Sequence, residues 1–483
     1  MKTLGQILED ANKLHLEGSA PIDPAKLLEA AEGYHQVLNS NPDAWNVLFL
    51  LGSIELQLGH NGYAIQIMEK VLQYNDKLPE AWNNMGSAYK SEFNHDKARE
   101  CWEKALTLRD DGDYYNNLAT LYINEGCAAE GEHYAREAVK RSPENAKGFW
   151  NLSLILLEQK KWAEGFEHYE AGLYSADRQL RFYSEPHEDV PYWEGQKGKT
   201  VVIYGEQGIG DEILYSSALG DALKDCKEVI LDCHPRMIDL FKRSFPEIKH
   251  FYATRKKKEI DWQKNHDIDY RCAIGSLFYL YRRNGQFPRL PYLVPDAKKV
   301  AEYKQWLAAA GPPPYVGIAW AGGSKKTHQH SRSFKLSQLK PILEQNATFI
   351  SLQYTEEATE KCKNFEKDTG IKIHHWPEVV NAQAGGMDYD DTVALIAALD
   401  LVITPNSAAV HVCGAIGQQC WTLTPDKCAW RYAGEDEHMT FYGDWIEQYR
   451  EKGDWDKTIK EVAYVLKEYL DFKKYVKLVR EHV

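Results

Sequence analysis

Three patterns of apolar and polar positions divide the chain. Up to about residue 175, apolar and small residues fall at helical spacing in paired segments, and equivalent positions return about every 34 residues. From Thr200 onward the pattern changes to short β-branched runs, among them TVVIY (200–204), VILDC (229–233), YVGIAW (315–320), TFISLQ (348–353) and LVIT (401–404). These alternate with helical segments, and such alternation predicts parallel sheets covered by helices. Between the two regions, FYSEPHEDVPYWEGQKGK (182–199) is rich in Pro, Gly and charge, as a domain junction requires.

The densest run of signals lies between Asp391 and Pro425: an apolar helix, a buried strand, a tight turn, a small-residue helix and a further strand. Pro405-Asn406-Ser407 ends the strand and makes Asn406 or Ser407 the N-cap of a helix from Ala408 to Ile416. A helix starting there offers unpaired N–H groups and the positive end of its dipole at the carboxyl end of a strand, where open α/β sheets bind phosphorylated ligands. His411 follows Ser407 by one turn, on the same face.

In the N-terminal region Leu51-Gly52 corresponds to Met85-Gly86, Leu118-Ala119 and Leu152-Ser153, while Ala30, Ala64, Ala98, Gly131 and Gly165 recur in each second helix. Bulky residues follow them at Tyr34, Met68, Trp102 and Tyr169. Small residues let paired helices approach, and the large ones fill the gap to the next pair. This pattern resembles tetratricopeptide repeats, in about five units from Leu4 to Leu173, with Pro21 and Pro24 expected to distort the first. The resemblance implies a curved surface that holds a peptide, a partner or another copy of the chain.

Gly205-Glu206-Gln207-Gly208-Ile209-Gly210-Asp211 is a glycine turn between a strand and a helix. It is not a dinucleotide fingerprint, because Ile213 stands where the third small residue is needed. Farther on, Ala321-Gly322-Gly323-Ser324 leads through Lys325, Lys326 and His328 to Ser331-Arg332-Ser333, and loop glycines followed by cations suit a pyrophosphate.

Together the turn after Thr200–Tyr204 and the segment Asn406 to Gly417 resemble the glycosyltransferase family of the bacterial lipopolysaccharide heptosyltransferases, over roughly Tyr192 to Tyr442. Asn406 departs from that family, which has Asp at this position. The resemblance implies a GT-B pair of Rossmann-like lobes, acceptor on the first and nucleotide-sugar donor on the second. It further implies Asp211 as general base, an acceptor loop of Gln207, Gly208 and Gly210, and no metal or resident cofactor, the nucleotide sugar being a co-substrate. The donor residues implied are Lys326, Arg332, Gln353, Asp391, Thr392, Asn406, Ser407, Ala408 and His411, with Gln353 bonding the base or ribose. Asp211 and Ser407 are then expected to face each other across a cleft, on the order of 10 to 15 Å apart when open.

The expected fold class is therefore α + α/β: an all-α tetratricopeptide solenoid over 1–175, a linker over 176–198, lobes over 199–310 and 311–455, and C-terminal helices over 456–483 packing back across the lobes. The expected function is metal-independent transfer of a sugar to a protein or glycan acceptor; a non-catalytic interaction scaffold and another nucleotide-sugar enzyme, such as an epimerase, remain open. Composition narrows the partners. With 58 basic and 71 acidic residues the net charge is −13, which disfavours nucleic acid. Nine cysteines without a C-x-x-C pair suit a reducing compartment, and the absence of a long apolar run leads to the expectation of a cytoplasmic protein with no membrane span.

Overall fold

The computed structural model describes residues 2–175, 190–254, 261–322, 332–380, 389–434, 436–451 and 453–482, without the side chains of residues 261, 263 and 475–482. By its contacts the chain divides into two compact units, Met1–Ile155 and Leu156–Val483.

The repeat region consists of α1 (Leu4–Ser19), α2 (Pro24–Ser40), α3 (Trp45–Gln57), α4 (Asn61–Tyr74), α5 (Pro79–Ser91), α6 (His95–Leu108), α7 (Gly112–Glu125), α8 (Ala128–Arg141), α9 (Ala146–Glu158) and α10 (Trp162–Tyr169). In the first unit the helices pack as consecutive pairs, α1 on α2, α3 on α4, α5 on α6 and α7 on α8. Pro24 does not distort the first pair. It occupies the first turn of α2, where a proline has no hydrogen bond to lose, and Asp23 caps the helix through the N–H groups of Ala25 and Lys26. The recurring small residues are contact points: a Cβ on Gly86 would lie 2.7 Å from Trp102 Nε1, and one on Gly52 would lie 2.8 Å from Met68 Cε.

The second unit contains two sheets in which every strand pairing is parallel among the described residues. The first sheet has β1 (Thr200–Tyr204), β2 (Glu228–Asp232), β3 (His250–Tyr252) and β4 (Tyr270–Ala273) in the order β3-β2-β1-β4. The second has β5 (Tyr315–Ile318), β6 (Thr348–Ser351), β7 (Ile373–His375), β8 (Leu401–Pro405), β9 (Cys420–Thr424) and β10 (Ile446–Arg450) in the order β10-β9-β8-β5-β6-β7. Both are doubly wound. The chain runs outward in one direction, then returns to the far side of the first strand, giving switch points between β1 and β4 and between β5 and β8.

The region after 455 is one helix, Trp455–His482. Ile459, Val462, Ala463, Leu466 and Leu470 form a single stripe buried in the core of the second sheet with Val316, Phe349 and Leu401. A single stripe can cover only one face, so among the described side chains this helix serves the second sheet instead of spanning both lobes. No helix among the described residues is long and apolar enough to cross a membrane.

Candidate functional site

Both turns singled out in the sequence lie at switch points, at the carboxyl ends of β1 and β8, and they meet. Gly210 opens the Ile209–Ser216 helix and packs on the start of the Ala408–Ile416 helix: a Cβ at Gly210 would stand 2.9 Å from His411 Cδ2 and 3.4 Å from Ala408 Cα. Only glycine lets the backbones approach so closely. The turns are therefore packed together at this point, where an open cleft was expected. Tyr292 ties the same two helices from the side, donating its hydroxyl to Ile213 O (2.7 Å) and its N–H to Ala415 O (2.8 Å).

Asp211 has two local tasks. Its Oδ2 accepts the Gly208 N–H at 2.9 Å, closing the helix start, and its Oδ1 is ion-paired with Arg431, which comes from the loop after β9. Arg431 also donates to Gln207 Oε1 at 2.8 Å. Burial works against the Arg431 charge, but Asp211 and the phenols of Tyr215, Tyr169 and Tyr432 outweigh it, and its pKa lies above the ordinary arginine value. Gln207 is held with φ at +55°, a left-handed conformation that costs a residue with a Cβ about 1 kcal/mol or more. Its Nε2 donates to the Tyr169 hydroxyl at 2.7 Å, and that hydroxyl shares a 2.7 Å hydrogen bond with Tyr215.

His411 is buried between two phenols, with Nδ1 2.9 Å from Tyr442 Oη and Nε2 2.8 Å from Tyr432 Oη. Burial pushes its pKa down to about 3, against the pull of Asp211. It is thus a neutral imidazole that accepts from one phenol and donates to the other, and it gives up no hydrogen-bonding position to a ligand in this arrangement.

The expected donor residues divide into two groups. Ser407 is the N-cap by position (φ −153°, ψ 176°), with its hydroxyl 3.2 Å from Thr404 Oγ1 and not on its own helix. Ser407, Ala408 and Ala409 are partly exposed, so the helix start is accessible. Gly322 passes directly beside it, since a Cβ there would lie 2.5 Å from Asn406 O. Ser333, the residue after Arg332, accepts the Gly322 N–H on its hydroxyl at 3.3 Å, and the Tyr432 hydroxyl is 3.5 Å from Ser407 O. Gly322, Ser407 and Ala408 thus gather in one place, with Arg332 next in the chain to Ser333.

The others are used elsewhere. Gln353 is fully buried; its Oε1 accepts from the Trp320 and Ala321 N–H groups at 3.0 and 2.9 Å and its Nε2 donates to Ala321 O, so it fastens the loop after β5 and does not reach for a base or ribose. Asn406 is 1 % exposed and accepts the hydroxyls of Thr422 and Thr424, each at 2.9 Å. A carboxylate at this buried position would carry a charge that two hydroxyls only partly solvate, so the neutral amide fits these neighbours. Asp391 pairs with Lys299 at 3.0 Å and accepts from Tyr303 at 3.0 Å, and Thr392 donates to Val379 O at 2.8 Å. Lys326 lies outside the described residues. Sequence reasoning gave no site role to Arg431, Tyr432 or Tyr442 and read Tyr169 only as a bulky packing residue of the repeats; none of the three tyrosines has a local signal for the part it plays here.

A separate open cavity of about 660 Å³ is lined in part by Lys160, Phe287, Arg289, Asp436, His438 and Asp444. None of the expected site residues borders it. Lys160 is paired with Asp436 and Arg289 with Asp444.

Comparison with known proteins identifies the N-terminal repeats. Models of the tetratricopeptide repeat match residues 79–111 and 116–179. The N-terminal region is a tetratricopeptide solenoid. The chain is 29% identical over 441 residues to Protein FlbA of Caulobacter vibrioides, covering 86% of this chain and 71% of that protein. It is 26% identical over 95 residues to human tetratricopeptide repeat protein 7A, covering 20% of this chain and 11% of that one. Among solved structures, a thermophilic TPR protein from Thermus thermophilus matches at 15% identity over 37% of this chain and 94% of its own, with a TM-score of 0.31. These repeats support interaction with other proteins.

Proposed function

We propose that the second unit is a GT-B glycosyltransferase that moves a sugar from a nucleotide-sugar donor to an acceptor hydroxyl, and that the repeats hold a protein acceptor. The observation that carries the reading is the meeting of the two turns at the switch points of two doubly wound sheets, the position where such sheets bind ligands. The accessible start of the Ala408–Ile416 helix, with Gly322 beside it and Arg332 next in the chain to Ser333, which binds the Gly322 N–H, suits the pyrophosphate. Asp211 stands at the other turn, where the acceptor hydroxyl has to lose its proton.

The test is incubation with a panel of labelled nucleotide sugars, following hydrolysis and transfer, with calorimetry of the corresponding nucleotides. Arg332→Ala is expected to weaken binding of the active nucleotide by about 1.5 to 3 kcal/mol, the range for hydrogen bonds to charged groups. Unchanged affinity removes Arg332 from the phosphate site. A second reading, a scaffold without catalysis, is favoured by the commitments of the signature side chains: Asp211 to Gly208 and Arg431, Asn406 to two threonines, His411 to two tyrosines. A chain that binds a nucleotide but turns over no donor in the panel supports that reading.

A further inference from the structure

The helix that ends the repeat array, α10, is built into the second unit. Trp162 packs on Phe287 and Phe441, Phe166 on Phe278 and Trp430, and Tyr169 on Tyr215 and Trp430, with ring centroids 5.4 to 6.4 Å apart. These rings belong to the last repeat matched in sequence, yet they contact side chains from both the first-sheet and second-sheet halves. Packing of this kind explains the rings but not the hydroxyl of Tyr169. That hydroxyl is buried, and it lies at the end of a continuous chain: Tyr169 Oη to Gln207 Nε2, Gln207 Oε1 to Arg431, and Arg431 to Asp211.

We infer that Tyr169 is a positioning residue of the candidate site, supplied by the final repeat, which fixes the Gln207 amide and through it the Arg431–Asp211 pair. The inference rests on the reading of Asp211 as the group at the reacting end. The amide of Gln207 has two ends, and its orientation decides whether an oxygen or an NH₂ group faces Arg431. Only the oxygen can accept from a guanidinium, so the NH₂ end has to find an acceptor on the other side, and Tyr169 Oη is that acceptor, itself held by the hydrogen bond it shares with Tyr215. Without it, the left-handed backbone at Gln207 loses one of the contacts that hold it, and the amide is free to turn. Arg431 then loses its oriented Gln207 partner and Asp211 loses a fixed cation.

The experiment uses the full chain with Tyr169→Phe, which keeps the ring in its aromatic packing, with Gln207→Ala, and with the two combined. For the nucleotide sugar found active in the panel, Tyr169→Phe is expected to lower turnover about 10-fold with the donor KM within about twofold. The double variant is expected to lose no more than the larger single loss, because the residues act as one chain. A packing role alone predicts wild-type turnover in Tyr169→Phe, or losses that multiply in the double variant, and either overturns the inference. Hydrogen exchange of the 205–211 backbone, expected to quicken in Tyr169→Phe, is read on the same proteins without any donor. If no donor is turned over, the proposed enzyme fails; the exchange then decides the positioning role by itself, unchanged protection overturning it.

Discussion

At the scale of single residues, the charged groups that bear on function are held by neighbours whose removal has calculable consequences. Asp211→Asn keeps an oxygen for the Gly208 N–H but removes the charge opposite Arg431, whose side chain is only 14% exposed. Breaking a buried pair on one side costs about 3 to 5 kcal/mol, and the partial exposure here brings the expected loss to roughly 2 to 4 kcal/mol. Turnover is expected to fall about 10²- to 10⁴-fold with nucleotide affinity retained, if the carboxylate is the base. Urea unfolding and kinetics on one preparation separate the two effects: lost stability with full turnover leaves Asp211 a structural residue. Glu158 gives a pH test. Burial pushes its pKa up to about 7 from an ordinary 4.5, so the folded state holds a proton that the unfolded state gives up. Stability therefore decreases as pH rises from about 4.5 to about 7, by on the order of 3 kcal/mol in full. Glu158→Gln is expected to match the parent below pH 4.5 and to exceed it above pH 7. His411, depressed to about 3, acts in the opposite direction, its contribution being lost as pH falls from 6.5 toward 3.

At the scale of elements, the sequence carried what depends on local pattern. The small-large alternation of Gly86 with Trp102 and Gly52 with Met68 is visible as a period, and it reappears as helix contacts. The buried runs Thr200–Tyr204 and Leu401–Pro405 became central strands beside their sheets' switch points, because β-branched residues buried on both faces have few other places to go. What was illegible depends on contacts between distant segments. Nothing near Gln353 announces that its amide closes the loop at Ala321, and nothing near Tyr169 announces Gln207. The place of α10 was illegible for the same reason: its repeat pattern assigns it to the solenoid, whereas its rings fill the aromatic core of the second unit. A chain starting at residue 176 lacks Trp162, Phe166 and Tyr169. Phe166 and Tyr169 are buried and Trp162 is partly buried; loss of one large buried aromatic costs about 3 to 5 kcal/mol, so losing the first two alone removes about 6 to 10 kcal/mol, comparable with the usual stability of a domain, about 5 to 15 kcal/mol. That chain is expected to bind hydrophobic dyes and to unfold without a cooperative transition. A chain starting at Ala146 keeps α9 and α10 whole and is expected to unfold cooperatively. Equal cooperativity in both would mean that α10 contributes little to the core.

At the scale of the whole molecule, a tetratricopeptide solenoid precedes a unit with a candidate site, and the question is what the solenoid adds to a reaction. If it holds a polypeptide acceptor, its effect is on concentration: a chain bound at one place presents its hydroxyls to the site intramolecularly, and such linkage raises apparent affinity by about 10²- to 10⁴-fold. The consequence differs by substrate. For a polypeptide long enough to engage the repeats, the chain starting at Ala146 is expected to show a KM at least about 100-fold higher than the full chain, with turnover at saturation nearly retained. For a short peptide carrying the same acceptor hydroxyl, and for hydrolysis of the donor by water, the two chains are expected to behave alike, since neither reaction uses the repeats. Because α9 and α10 remain in the shorter chain, a lost activity cannot be blamed on a broken aromatic core or on the missing Tyr169 hydroxyl. Steady-state kinetics with the three substrates decide the matter. Equal KM for the long polypeptide in both chains would place the acceptor contacts wholly within residues 146–483 and leave the earlier repeats to a partner other than the substrate.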